Sequence, residues 1–242
     1  MSFSIPETAI SYGFIIDGLG AHGSRTIMLK ELELLFAVCP PTTDIEGYRS
    51  AILNDNVLLK QTESTRKESF RRLRELYGVN PEYLLFRALR TLWDQGPEDK
   101  PLLTLLCAAA RDPMLRASAE VILNASLESL VTAQMISKSI DEQFPGRLNP
   151  TTLANIGRHA ASSWTQAGHL VGRTKKVRSR AQSHPTSVAY ALLLGYLCDV
   201  RGEALCFIRS GHDCWMLRFT SCANRPSWPR NRVGLNTVML GK

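Results

Sequence analysis

Apolar positions in the first 144 residues recur every three to four residues, which is the periodicity of helices that bury one face. Turn-forming residues interrupt this pattern, among them Pro40, Pro41, Gly78 and the Asn-Asp-Asn run at 54–56. The pattern predicts a series of helices with almost no strand signal. Their expected bounds are 24–38, 44–53, 64–77, 80–93, 98–111, 113–124 and 132–144.

The remainder of the chain combines helical segments with an extended basic stretch. The periodicity predicts helices over 151–158, 158–166 and 185–199. Two helices, a turn and an extended basic segment resemble a winged helix, so we predict a β-hairpin after residue 168. The expected fold class is mainly α, a multi-helix bundle with helix-turn-helix or winged-helix-like elements and a small β-hairpin.

Four regions are expected along the 242 residues, a length that suits one or two domains. Residues 1–23 are rich in glycine and predict an irregular lead-in. Residues 24–142 predict an N-terminal helical domain with a candidate helix-turn-helix, and residues 143–219 a C-terminal, basic, winged-helix-like domain. Two short apolar segments within 204–217 fit either a helix end or two strands. Residues 220–242 are dominated by Asn, Pro, Arg and Gly, and predict a poorly ordered tail.

Charge is distributed unevenly along the sequence. Basic residues number 29 and acidic residues 22, a net charge of +7. Between Gln143 and Cys198 there is no Asp or Glu, so the basic residues of this stretch equal the net charge of the whole chain. They are Arg147, Arg158, Arg173, Lys175, Lys176, Arg178 and Arg180. A local cationic excess of this kind favours a polyanionic partner such as nucleic acid.

The densest part of this stretch is residues 173–180. Alternation in an extended strand places Arg173 and Lys175 on one side, and Lys176, Arg178 and Arg180 on the other. A wing of this kind lies along a phosphate backbone, and the alternative is a solvated basic loop with no partner. The predicted contacts to DNA in this part of the chain are Arg158, Arg173, Lys175, Lys176, Arg178 and Arg180.

The helix predicted over 64–77 is a second basic element. Lys67, Arg71 and Arg74 follow the i, i+4, i+7 spacing and form a stripe beside its apolar face. Paired with the preceding helix, it would form a helix-turn-helix whose N-terminal hydroxyl groups meet a phosphate. The alternative is a surface helix whose stripe Glu68 and Glu75 partly neutralise. The predicted DNA contacts here are Ser64, Thr65, Arg66, Lys67, Arg71 and Arg74.

The sequence offers little support for catalysis. The five histidines are scattered, no phosphate-binding loop is complete, and the basic stretch lacks the carboxylates with which a nuclease holds metal. Cysteines recur every eight residues from Cys198 to Cys222, whereas zinc sites use pairs two to four residues apart. We therefore expect a non-enzymatic protein without metal or cofactor. Its apolar runs fall short of the roughly 20 residues of a spanning helix, which predicts a cytoplasmic protein that does not insert into membranes.

Two stretches carry a resemblance to a known family. Residues 24–31 (SRTIMLKE) and 56–67 (NVLLKQTESTRK) resemble the opening of the BrxA family of the bacterial BREX phage-exclusion systems. The later stretches 189–197 and 201–205 are also similar to this family, and the resemblance extends over about residues 24–219. The resemblance implies a mostly helical, non-enzymatic protein that binds double-stranded DNA. The basic stretches suggest mainly phosphate contacts, with other BREX components as further candidate partners. The alternatives are a protein–protein adaptor in a defence complex and an RNA-binding module.

Overall fold

The computed structural model describes residues 5–200, which fold mainly into helices. A short 3-10 helix, Glu7–Tyr12, lies within the lead-in, and a second one, Pro97–Asp99, precedes α5. The α-helices of the described range are α1 (Leu29–Val38), α2 (Ile45–Leu53), α3 (Glu63–Tyr77), α4 (Leu84–Trp93), α5 (Lys100–Arg111), α6 (Pro113–Asn124), α7 (Ala133–Gln143), α8 (Pro150–Gln166) and α9 (Pro185–Leu197). The strands are β1 (Leu170–Val171) and β2 (Val177–Arg178).

Side-chain caps fix several helix ends where the sequence predicts them. Asp44, Thr62 and Thr132 each accept a backbone N–H at the start of α2, α3 and α7. Gly78 ends α3 in the left-handed conformation, with φ of 79°. The helices expected over 44–53, 64–77 and 132–144 are therefore confirmed to within one or two residues.

The start of α1 differs from the prediction. It begins at Leu29 and not at Ser24, because the preceding residues are held by contacts that are not helical. The backbone N–H of Ile27 donates to Ser163 Oγ at 3.0 Å, and Met28 has a left-handed φ of 49°. A distant side chain thus sets this boundary.

Two further helices differ in extent. α4 begins at Leu84, because the Asn80 side chain accepts the backbone N–H of Glu82 at 3.0 Å and forms a turn in place of a first helical turn. α8 runs without interruption through Arg158, where the prediction divides it into two segments. The continuous helix has one outer face along its whole length.

The core is built around α5, whose residues 102–111 are all buried. It contacts α1, α3, α4, α6, α8 and α9, so a helix that is apolar on every side is surrounded by others. Trp93 and Trp164 are buried in this core, as are Cys39 and Cys107. The apolar neighbours of these four residues in the sequence are consistent with their place in the core.

The predicted β-hairpin is present after α8. β1 and β2 are antiparallel, with Leu170 opposite Arg178 and Val171 opposite Val177. The loop between them, residues 172–176, carries the basic cluster at its tip. We call this loop the wing.

An extended segment before α7 pairs with the other edge of β2. The backbone N–H of Glu128 donates to the carbonyl of Arg178 at 2.8 Å, and that of Val131 to the carbonyl of Lys176 at 2.9 Å. Helix α6, this segment, α7, α8, β1, the wing and β2 therefore follow one another in the order of a winged helix. We call residues 113–180 the winged-helix-like unit. α7 and α8 within it pack closely on each other.

Several expectations concern residues beyond the described range. The apolar segments within 204–217, the tail at 220–242 and three of the regularly spaced cysteines, Cys206, Cys214 and Cys222, lie outside it. The division of the chain at residues 23, 142 and 219 stays a prediction. Within residues 5–200, no helix is both long enough and apolar enough to cross a membrane.

Candidate nucleic-acid interface

A groove of about 510 Å³ lies between the outer face of α8, the wing and the start of α7. It brings together four of the cations that the sequence predicts as DNA contacts, which are Arg158, Arg173, Lys175 and Lys176. Thr132, Gln134, Ser162 and Thr174 supply uncharged polar groups around them. Leu130, Val131, Ala133 and Ala161 complete the lining with apolar groups. Among the described residues the lining includes no carboxylate, so its charged groups are all cations.

The wing has a tight geometry that depends on glycine. Gly172 has a φ of 103°, and a Cβ at this position would lie 2.1 Å from the carbonyl oxygen of Lys175. The loop can therefore fold back on itself only with glycine here. Arg173, Thr174 and Lys175 are exposed as a result and extend the cationic surface beyond the groove.

Lys176 fixes the wing to α8. Its Nζ donates to Thr165 Oγ1 at 2.7 Å and to the carbonyl of Gly172 at 3.5 Å. Partial burial lowers the pKa of the Lys176 ammonium group from its ordinary value. This lysine therefore places its positive charge at a defined point of the groove wall.

Arg178 is not part of this surface. Its side chain is 2% exposed, and its guanidinium donates to the carbonyl of His169 at 3.1 Å and to that of Ser179. The predicted division into two sides is wrong, because β2 extends only over Val177–Arg178. Lys176 lines the groove together with Arg173 and Lys175, whereas Arg178 faces the protein. Arg178 therefore joins the hairpin to the end of α8, and Arg180, beyond β2, is exposed.

Arg147 is paired with an acid from the lead-in. Its guanidinium binds both carboxylate oxygens of Asp17, at 2.5 and 3.0 Å, and the hydrogen bond lowers the pKa of Asp17. The basic stretch is thus partly compensated by a distant residue. Within residues 5–200, by contrast, no carboxylate lies within ion-pair distance of Arg158, Arg173, Lys175 or Lys176.

The outer face of α8 carries four polar side chains in a row. Thr151, Asn155, Arg158 and Ser162 follow the spacing i, i+4, i+7, i+11 and are exposed or half-buried. The guanidinium of Arg158 donates to Asn155 Oδ1. From the sequence only Arg158 is predicted here, because dividing the helix at that residue conceals the continuous face.

The stripe on α3 is neutralised by acids of the same helix. Lys67 Nζ lies 2.7 Å from a carboxylate oxygen of Glu63, and Arg71 lies 2.8 Å from Glu68 and 3.1 Å from Glu75. Ion pairs therefore cover the centre of the stripe, and this geometry favours the surface-helix alternative for α3.

Further contacts extend this network. Hydrogen bonds from Arg71 and Arg72 lower the pKa of Glu68 to about 2, although partial burial opposes the shift. α3 packs on α2 and α5, and no α3 residue is found in the described lining of the groove. The two predicted cationic elements are therefore separate surfaces. The other predicted α3 residues lie at or near the surface, namely Ser64, Thr65, Arg66 and Arg74.

A buried cluster behind α8 has the connectivity of a hydrolytic triad. His22 Nδ1 lies 2.7 Å from Asp112 Oδ2, and His22 Nε2 lies 2.9 Å from Ser163 Oγ. All three residues are at most 1% exposed, and Ser163 Oγ also bonds the backbone of Ile27 and His159. A substrate cannot reach this serine, so the cluster is a structural clamp between the lead-in, α6 and α8.

Asp112 is the most heavily bonded member of this clamp. Besides the imidazole of His22, its carboxylate accepts backbone N–H groups from Ala21, His22, Met114 and Leu115 at 2.8–3.1 Å. Burial alone would raise the pKa of Asp112, but the charge of His22 and these hydrogen bonds lower it overall. The sequence gives no signal for the clamp, because His22 is 90 positions from Asp112 and 141 positions from Ser163.

Comparison with known proteins adds no assignment. A scan against protein-family models and a search of curated proteins both find no match to this chain. The resemblance to the BrxA family therefore stays a hypothesis. Among residues 5–200, no three His, Cys, Asp or Glu side chains are grouped so as to hold a metal ion.

Proposed function

We propose that this protein binds double-stranded DNA through the groove of the winged-helix-like unit, without catalysing a reaction. The observation that carries the proposal is the cluster of Arg158, Arg173, Lys175 and Lys176 around the outer face of α8, with no acidic partner among the described residues. Phosphate contacts from this cluster supply most of the affinity.

The shape of the unit supports this assignment. In helix-turn-helix proteins the second helix of the motif enters the major groove, and flanking elements contact the backbone. α8 has 17 residues and is about 25 Å long, and the side chains of Thr151, Asn155, Arg158 and Ser162 along it are exposed or half-buried. With α8 in the major groove, Arg173 and Lys175 of the wing lie beside the neighbouring phosphate backbone.

The biological setting we propose is the one that the sequence resemblance implies. The protein is then an accessory component of a BREX phage-defence system, acting in the bacterial cytoplasm on DNA and alongside other BREX proteins. The likeness at residues 24–31 and 56–67 supports this part of the proposal. It is independent of the charge argument, which rests on other residues.

Salt dependence provides the first test of DNA binding. Fluorescence anisotropy of a labelled random-sequence duplex gives the affinity at several salt concentrations. Neutralising three or four phosphates predicts a log–log slope of about −3 to −4, because bound counterions are released. A slope near zero contradicts the proposal.

Competition with duplex RNA tests the RNA-binding alternative, because the grooves of A-form and B-form duplexes differ. If duplex RNA competes more strongly than duplex DNA, the protein is an RNA-binding module and the proposal of DNA binding is wrong.

A matched pair of substitutions locates the surface. Ser162→Asp places a carboxylate in the groove, whereas Ser64→Asp makes the same change at the exposed start of α3. We expect Ser162→Asp to weaken DNA binding about ten-fold or more, and Ser64→Asp to change it less than about two-fold. The reverse order would assign the interface to α3. Circular dichroism confirms that both variants remain folded.

A further inference from the structure

Building on the proposed function, we infer that the outer face of α8 reads base edges, so that binding is sequence-selective and not confined to the phosphate backbone. The specificity-determining residues are Asn155 and Arg158. Three of the four side chains in this row, Thr151, Asn155 and Ser162, are uncharged. Uncharged groups add little to phosphate attraction, but hydrogen-bonding side chains are what sequence readout requires.

Small side chains beside the row permit a close approach. Ala154 is exposed next to Asn155, and Ala161 lies next to Ser162 in the groove lining. The helix can therefore sit deep enough for short side chains to reach the bases. Arg173 and Lys175 of the wing line the same groove as Arg158 and Ser162, and in this proposal their longer side chains meet the phosphate backbone beside the row.

Hydrogen bonds elsewhere on α8 hold this face in a fixed position. His159 Nδ1 donates to the carbonyl of His22 at 2.8 Å, and Ser163 belongs to the buried clamp. Both residues are on α8, on the side opposite the groove. A helix fixed in this way loses little conformational freedom on binding, which favours selective contacts.

The contact between Asn155 and Arg158 indicates which bases are preferred. Because Oδ1 of Asn155 accepts a hydrogen bond from the guanidinium, most of the hydrogen-bonding capacity that remains on the pair is that of N–H donors. In the major groove, guanine offers two adjacent acceptors, N7 and O6, whereas adenine offers only N7 beside a donor. The pair therefore favours a site that contains guanine, with Arg158 on its N7 and O6.

Selection from a duplex pool with a randomised centre, followed by sequencing of the bound fraction, tests the inference on the full-length protein. We expect the wild type to enrich guanine at one position or more. Arg158→Lys keeps the charge but loses the paired hydrogen bonds to one base, so it should reduce that preference about ten-fold, a larger factor than its loss of affinity for the unselected pool. Asn155→Ala should weaken selectivity at a neighbouring position.

Two controls make the result specific. Arg173→Ala in the wing should weaken binding to every sequence and leave the enriched site unchanged. Replacing the enriched guanine by 7-deazaguanine removes its N7 acceptor, and should weaken the wild type about five-fold or more but have little effect on Arg158→Lys. Equal loss in both proteins would contradict a contact from Arg158 to that atom.

The outcomes separate this inference from the proposed function. Salt-dependent binding without any enriched site overturns base readout and leaves DNA binding intact. An enriched site that survives both Arg158→Lys and Asn155→Ala assigns selectivity to another surface and also overturns the inference. Failure to bind any duplex removes the proposed function itself.

Discussion

Two parts of the chain are equally rich in basic residues but present them very differently. α3 and residues 173–180 contain five each. On α3 the cations alternate with Glu63, Glu68 and Glu75 at helical spacing, and ion pairs form within the helix. The 173–180 stretch has no acid of its own, and three of its cations surround the groove beside α8. The spacing of acids, more than the number of cations, decides which segment remains cationic at the surface.

The contacts that hold α8 and α3 in place also differ. We expect substitutions in these contacts to have the largest effect, measured as a change in the free energy of unfolding. α8 rests on the buried clamp of His22, Asp112 and Ser163, whereas the surface of α3 is held by exposed ion pairs. Asp112→Asn should lower the free energy of unfolding by about 3 kcal/mol, because it removes a buried charge from its partners. Glu75→Gln, the control on α3, should cost less than about 1 kcal/mol. Urea unfolding measures both, and equal losses would contradict the structural role of the clamp.

Acid titration also tests the structural role of the buried carboxylate of Asp112. The pKa of Asp112 in the folded protein lies below its ordinary value of 3.8, so its ionised form stabilises the fold above that pH. This contribution is lost as the pH falls through the lower, folded-state pKa. The melting temperature should therefore fall steeply below about pH 4, and less steeply in Asp112→Asn. Scanning calorimetry across this range would reject the interpretation if the two proteins showed the same slope.

Removing acidic side chains from α3 should leave its cations without ion pairs, like the cations of the groove. Glu68→Gln with Glu75→Gln releases Arg71 and Arg72 from their ion pairs. We expect affinity for duplex DNA to rise about three-fold at low salt, with a steeper salt slope. Anisotropy titration measures the change. An unchanged affinity would mean that α3 stays away from bound DNA even when its cations are free.

Local signals in the sequence were sufficient for much of the fold. Gly78 ends α3 as predicted, and the order of helices, turn and extended basic segment predicts the hairpin, because turns depend on neighbours in the chain. The side of β2 that faces inward could not be predicted, so Arg178 was assigned to the surface. The charge pattern likewise predicts the position of the wing. It does not predict the row of polar side chains on α8, because the predicted break at Arg158 divides that face into two segments.

Contacts between distant residues account for the rest. The pair of Arg147 with Asp17 spans 130 positions, and the bond of His22 to Ser163 spans 141. Neither has a local pattern, since each depends on how the irregular lead-in packs against residues of the second half of the chain. The first pairs one cation of the acid-free stretch with a distant acid, and the second positions the helix on which the proposed interface is built.

The central claim is that the groove cations, and not those of α3, attract DNA. Two double variants that remove the same charge test it directly, Arg173→Ala with Lys175→Ala in the wing and Lys67→Ala with Arg71→Ala on α3. The measurement is the salt slope of duplex binding for both proteins and the wild type. We predict that the wing variant loses about two units of slope and at least about ten-fold in affinity, while the α3 variant stays close to the wild type. Equal losses in the two variants, or a loss confined to α3, would contradict the account.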